Sequence, residues 1–98
     1  MPKSFFIISI NWVVTQCTME NIQTIDSALG RLGDWLRFSG SCWILLTDKS
    51  SQDIFSEMGK ILKKDDCEII AKIDPATVNG WAPKWMNDWI TERRRLVS

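Results

Sequence analysis

The chain has 98 residues, 45% hydrophobic and 24% charged, which is enough for one domain with one core and not for two. Twelve basic and twelve acidic residues cancel, so bulk charge gives none of the basic excess usual in nucleic-acid-binding domains. Histidine is absent, removing the commonest general base and metal ligand, and Cys17, Cys42 and Cys67 are too few and too widely spaced for a zinc site or a disulfide framework.

Ser4-Phe5-Phe6-Ile7-Ile8-Ser9-Ile10 is nearly all apolar and rich in β-formers, the pattern of a central strand buried on both faces. Asn11 to Thr18 follows as a loop. Ile22, Ile25, Ala28, Leu29 and Leu32 recur at steps of three and four, an amphipathic helix with Gly33 as its C′ residue. Asp34 to Phe38 and Cys42 to Thr47 read as strands joined by the hairpin turn Ser39-Gly40-Ser41. Ser50, with Asp53 three residues on, has the form of a capping box. The helix it opens carries the stripe Ile54, Phe55, Met58, Ile61 and Leu62. Asp65-Asp66 breaks that pattern, and Cys67 to Ile73 is a fourth strand ended by Asp74-Pro75. Pro83 suits the first position of a final helix, leaving Trp81 before it and Trp85 and Trp89 on it, four residues apart.

The order predicts an α+β chain: a ferredoxin-like βαββαβ unit with a four-stranded antiparallel sheet and an extra C-terminal helix. Residues 1–92 form the single domain and 93–98 a basic C-terminal tail. Two helices cover one face of the sheet; the other needs the extra helix, a second subunit or a ligand. The cysteines read as reduced, small hydrophobes of a cytoplasmic protein. Phe5 to Ile10 is too short for a secretory apolar region, and no stretch approaches a membrane span, so no membrane partner is expected.

Ile10-Asn11 at the end of strand one, Leu32-Gly33-Asp34-Trp35, Ser41-Cys42-Trp43-Ile44 and Thr47-Asp48-Lys49-Ser50 resemble bacterial proteins of the SinR-like family. The charged entry Lys64-Asp65-Asp66 into Cys67-Glu68-Ile69-Ile70, and the closing Gly80-Trp81 to Trp89-Ile90 segment, fit the same pattern. That family is similar to the small CRISPR-associated adaptation protein, the homodimeric partner of the integrase, and to VapD-type endoribonucleases. The resemblance implies a ferredoxin-like protomer that dimerises through its sheet. It also implies, in nuclease-competent relatives, an acid near the end of strand one that faces the dimer mate and helps hold a divalent metal. Ser9 stands where that acid is expected, and a hydroxyl is a poor Mg²⁺ ligand without carboxylates beside it.

The candidate catalytic positions are therefore Ser9, Asn11 and Asp48, each with a plain use in a strand end or turn. Asp48, Asp65, Asp66 and Asp74 are the carboxylates near strand ends that a metal such as Mg or Mn would need. Their ordinary uses are a helix entrance for Asp48, a solvated turn for Asp65 and Asp66, and turn initiation for Asp74. Trp35 and Trp43, on neighbouring strands, suit either base stacking or cross-strand packing. Arg93, Arg94 and Arg95 are the one dense basic run, able to meet phosphates or to stay solvated. Trp81, Trp85 and Trp89 are expected to seal the second sheet face within a subunit or across a dimer, with Trp85→Ala costing about 3–5 kcal/mol.

Three functional readings follow. The first is a homodimeric binding or scaffold module without cofactor, catalytically degenerate and associated with nucleic acid as relatives are. The second is a metal-dependent endoribonuclease using Mg or Mn. The third is a protein-interaction module that recruits a larger partner.

Overall fold

The computed structural model describes residues 2–97; Met1 and Ser98, at the ends of the expected domain and tail, lie outside the described residues. The elements are β1 (Ser4–Asn11), α1 (Met19–Gly30), β2 (Asp34–Ser39), β3 (Cys42–Thr47), α2 (Ser51–Met58), β4 (Cys67–Ile73) and α3 (Lys84–Arg93), with short 3₁₀ turns at Pro75–Thr77 and Arg94–Leu96. The sheet order is β2-β3-β1-β4, every pair antiparallel. This is the ferredoxin-like α+β arrangement that the sequence predicts, with β1 central.

Alternation along β1 divides the core in two. Phe6, Ile8 and Ile10 join Trp43 and Leu45 of β3 beneath Ile22, Ile25, Ala28 and Leu29 of α1 and Ile54 and Met58 of α2. On the opposite face Phe5, Leu36, Ile44 and Leu46 pack with Met86 of α3, and Trp89, Ile90, Leu96 and Val97 close around them.

The helix entrances follow local chemistry. Thr18 accepts from the Asn21 amide at the start of α1. Ser50 and Asp53 form the reciprocal capping box of α2. Asp74 accepts from the Ala76 amide and starts the 3₁₀ turn after β4.

Three local readings are corrected. Gly33 is not a left-handed cap, since no glycine has positive φ among the described residues. A Cβ there would lie 2.1 Å from the Leu46 carbonyl oxygen, so the glycine lets the start of β2 press against the β3 backbone. α2 ends at Met58, and Ile61 and Leu62 donate to the Met58 carbonyl in the turn beyond it. Pro83 sits one place earlier than expected, at the N-cap of α3, where its carbonyl accepts from Met86 and Asn87.

The expected basic tail is docked. Arg93 ends α3 with its guanidinium 4.4 Å over the Trp89 ring and Nε 3.5 Å from Asp34 Oδ2. Val97 forms a parallel bridge with Lys3. Only Arg94 and Arg95 point their charge to solvent from this run.

Candidate functional site

The sheet face under α3 is covered at one end only. α3 and the 96–97 segment lie over Phe5, Leu36, Ile44 and Leu46. Toward the other end of the strands the same face continues as Ile7, Ser9 and Asn11 of β1, Phe38 of β2, Cys42 of β3, and Cys67, Ile69 and Ala71 of β4. Ile69 is 69% exposed and Phe38 54%. A groove of about 360 Å³, lined by Ile7, Phe38, Cys42, Val78, Trp81 and Met86, separates this surface from the segment leading into α3.

None of these positions carries a formal charge, although 24% of the chain is charged. A sheet face that meets water is ordinarily lined with polar or charged side chains. On β4 the charges Glu68 and Lys72 alternate onto the helix-covered side, leaving Cys67, Ile69 and Ala71 on the open one. The face is therefore built to be covered. Half-burial already pushes the Cys42 thiol pKa up.

The tryptophan ladder is split by this geometry. Trp89 packs edge-on against Phe5, ring centroids 6.0 Å apart, and helps close the covered end. Trp81 is fully exposed and Trp85 is 56% exposed; neither seals the sheet within one chain, because Met86 is the residue α3 buries. Half-exposed Trp85 therefore does not carry, within a single protomer, the cost of about 3–5 kcal/mol expected of a buried aromatic. Trp81 stands at the rim of the groove.

Trp35 and Trp43 are turned to the other face, under the helices, which fits the packing use of the two that the sequence allows and not a platform open to bases. Trp43 has no exposed surface, and its indole N–H donates to Asp26 Oδ1 of α1 at 2.8 Å. Arg37 Nε lies 3.8 Å from the same oxygen, so the nearly buried Asp26 carboxylate is partnered on two sides. Trp35 packs against the helix-side core.

The carboxylates do not converge. Asp48 is exposed between β3 and α2, and the cap of α2 is Ser50 instead. Asp74, at the same end of the sheet, is engaged in its own turn. Asp65 and Asp66 lie at the opposite end, before β4. No three Asp, Glu, Cys or His side chains come together as metal ligands among the described residues. Ser9 and Asn11 reach the open sheet face with no carboxylate placed beside them.

Asp66 is not a solvated turn residue. Its Oδ1 accepts from the amides of Val13, Val14 and Thr15 at 2.9, 2.7 and 3.0 Å. Its Oδ2 accepts from the Thr15 hydroxyl at 2.6 Å and the Lys63 amide at 2.9 Å. Led by the Thr15 hydroxyl, then the Lys63, Val13 and Val14 amides, these donors hold its carboxyl well below the usual carboxylate range. With both oxygens engaged, Asp66 is an anchor for the loop after β1 and has no lone pairs free for a metal.

Sequence reasoning missed Ile7, Phe38, Cys42 and Ile69 as a surface. The signal was there: β1 carries no charge at all, and β4 has one alternating set of positions without a charge. No family model and no curated protein matches this chain. No helix among the described residues is long and apolar enough to cross a membrane.

Proposed function

We propose that the chain is a homodimeric binding and scaffold module, joined through the uncharged half of the α3-side sheet face. The observation that carries this reading is the exposure of Phe38 and Ile69 on a sheet surface with no ionisable side chain other than thiols. A two-fold contact sets a surface against its own copy, so a charge on or near the axis meets a like charge. This face meets that condition without cost. It offers no cation to phosphate, so its chemistry favours a second copy over nucleic acid. The resemblance to sheet-dimerising families points the same way, and Ser9 lies on this face. Ser9 and Asn11, unsupported by acids, leave the strand-one site without metal-binding chemistry.

Sedimentation velocity over a concentration series tests the reading. The wild type forms an assembly of even copy number, and Phe38→Glu, which places two carboxylates in the contact, halves its mass with an unchanged circular dichroism spectrum. A wild type that is monomeric at every concentration, or a Phe38→Glu variant that assembles like it, overturns the dimer. Cleavage of labelled RNA with Mg²⁺ or Mn²⁺, lost in Asp48→Asn, would favour the endoribonuclease instead.

A further inference from the structure

The two edges of the sheet are not alike. β2 has a register break between Arg37 and Ser39, the kind of irregularity that blunts an edge against pairing. β4 pairs with β1 without a break from Phe5↔Ile73 to Asn11↔Cys67, so its outer edge is straight for its whole length. No proline interrupts it until Pro75. A regular, unblunted edge is a template for another strand.

The sequence of that edge, Cys67-Glu68-Ile69-Ile70-Ala71-Lys72-Ile73, is complementary to itself when reversed. In an antiparallel pair, residues directly opposite share a face, so a symmetric contact must centre on a residue of the strand. Centred on Ile70, it sets Glu68 of each copy against Lys72 of the other, and Ile69 against Ala71. Centred on Glu68 or Lys72, it opposes like charges, which destabilises a pair. Centred on Ile69 or Ala71, it leaves Glu68 facing Ile70 or Asp74. Among registers centred from Glu68 to Lys72, the Ile70 register alone gives two opposite-charge pairs that lie inside the strand.

Within one chain Glu68 lacks what this register supplies. Its Oε2 is buried and has no hydrogen-bond partner, although Lys63 and Lys64 line the same groove of about 510 Å³ beside the edge. Burial accordingly pushes its pKa up. Lys72, further along the strand on the same face, is exposed and in no ion pair among the described residues.

We infer that β4 pairs antiparallel with β4 of a second copy, centred on Ile70, so that Glu68 and Lys72 form two reciprocal salt bridges across a continuous eight-stranded sheet. This contact is independent of the sheet-face contact proposed above. Where both form, loss of either contact leaves a dimer held by the other.

Charge reversal with rescue tests the register. Glu68→Lys and Lys72→Glu each turn both attractive pairs into repulsive ones, which weakens association about thirtyfold and halves the sedimenting mass. Mixing the two variants one to one restores the wild-type mass, because the first then offers two cations at the facing positions and the second two carboxylates. The doubly reversed chain, Glu68→Lys with Lys72→Glu, restores it alone. Lys72 is exposed, so Lys72→Glu keeps the test readable where the half-buried Glu68 variant folds poorly. Reversals that leave the mass unchanged, or a weakening that neither mixing nor the double variant repairs, overturn the pairing. Phe38→Glu lies on the far strand, so loss of one contact is distinguishable from loss of the other.

Discussion

The Thr15 hydroxyl donates to Asp66 Oδ2 at 2.6 Å across 51 positions of sequence. With the three loop amides on Oδ1, this bond ties the loop after β1 to the turn before β4. An acid that reads locally as part of a charged turn thereby fixes how two distant connections meet. It also fixes the end of the sheet at which the open face begins.

Asp66→Asn removes the charge that these donors surround and lowers the melting temperature at neutral pH. The sign of the pH dependence follows from the depressed pKa. The contribution is fully present above the unfolded-state value of about 3.9 and is lost as pH falls toward the lower folded value. Melting curves from pH 7 to pH 2 therefore show the wild type losing its advantage over Asp66→Asn below about pH 4. A gap that stays constant to pH 2 contradicts the anchor.

Trp43→Phe keeps most of the ring volume and deletes the N–H donated to Asp26. It costs about 1–3 kcal/mol, the usual penalty for leaving a buried polar group without its partner. Trp43→Ala costs about 3–5 kcal/mol by adding a cavity. Chemical denaturation measures both, and a Trp43→Phe variant as stable as the wild type would mean that the hydrogen bond contributes nothing.

Two glycines predict opposite outcomes for one substitution. Gly33→Ala drives a methyl into the Leu46 carbonyl and destabilises by about 3 kcal/mol, the upper end for overpacking. At Gly59, with φ of −63°, the nearest heavy atom to an added Cβ is 3.5 Å away, an ordinary contact. Gly59→Ala therefore stabilises by about 0.4–1 kcal/mol. Denaturant midpoints for the pair decide it, and a Gly33→Ala variant as stable as the wild type would refute the close strand contact.

The three ladder tryptophans separate by where they sit. Trp89→Ala, which strips the contact with Phe5 and Arg93, destabilises the protomer by about 2–4 kcal/mol, the range for a large aromatic less than fully buried. Trp81→Ala leaves protomer stability within about 0.5 kcal/mol, as exposed positions do. Denaturation at low protein concentration, followed by circular dichroism, distinguishes the two.

The element order was legible because hydrophobic period, turn chemistry and capping agree along the chain. Ser50 with Asp53 announced α2, and the nearly unbroken apolar run of β1 announced a central strand. What sequence did not reveal was which face each large side chain takes. Trp43 and Trp81 are the same residue type, one with no exposed surface and one fully exposed. That difference depends on Asp26, seventeen residues from Trp43, and on how far α3 reaches across the sheet. The role of Asp66 was hidden for a similar reason, since its partners on the loop lie 51 to 53 positions away. Gly33 was read as a helix cap because the carbonyl it accommodates belongs to β3, beyond any local pattern.

The most direct test of the central claim is the rate at which Cys42 reacts with a thiol-alkylating reagent, followed by mass spectrometry as protein concentration is raised. Cys42 lines the groove on the open face, whereas Cys17, exposed in the loop before α1, is not part of that lining and serves as the internal control. Cys42 becomes protected over the concentration range in which the chain assembles, Cys17 does not, and Phe38→Glu abolishes the protection. A Cys42 rate that stays constant relative to Cys17 while the protein assembles would contradict the claim that this face is the interface.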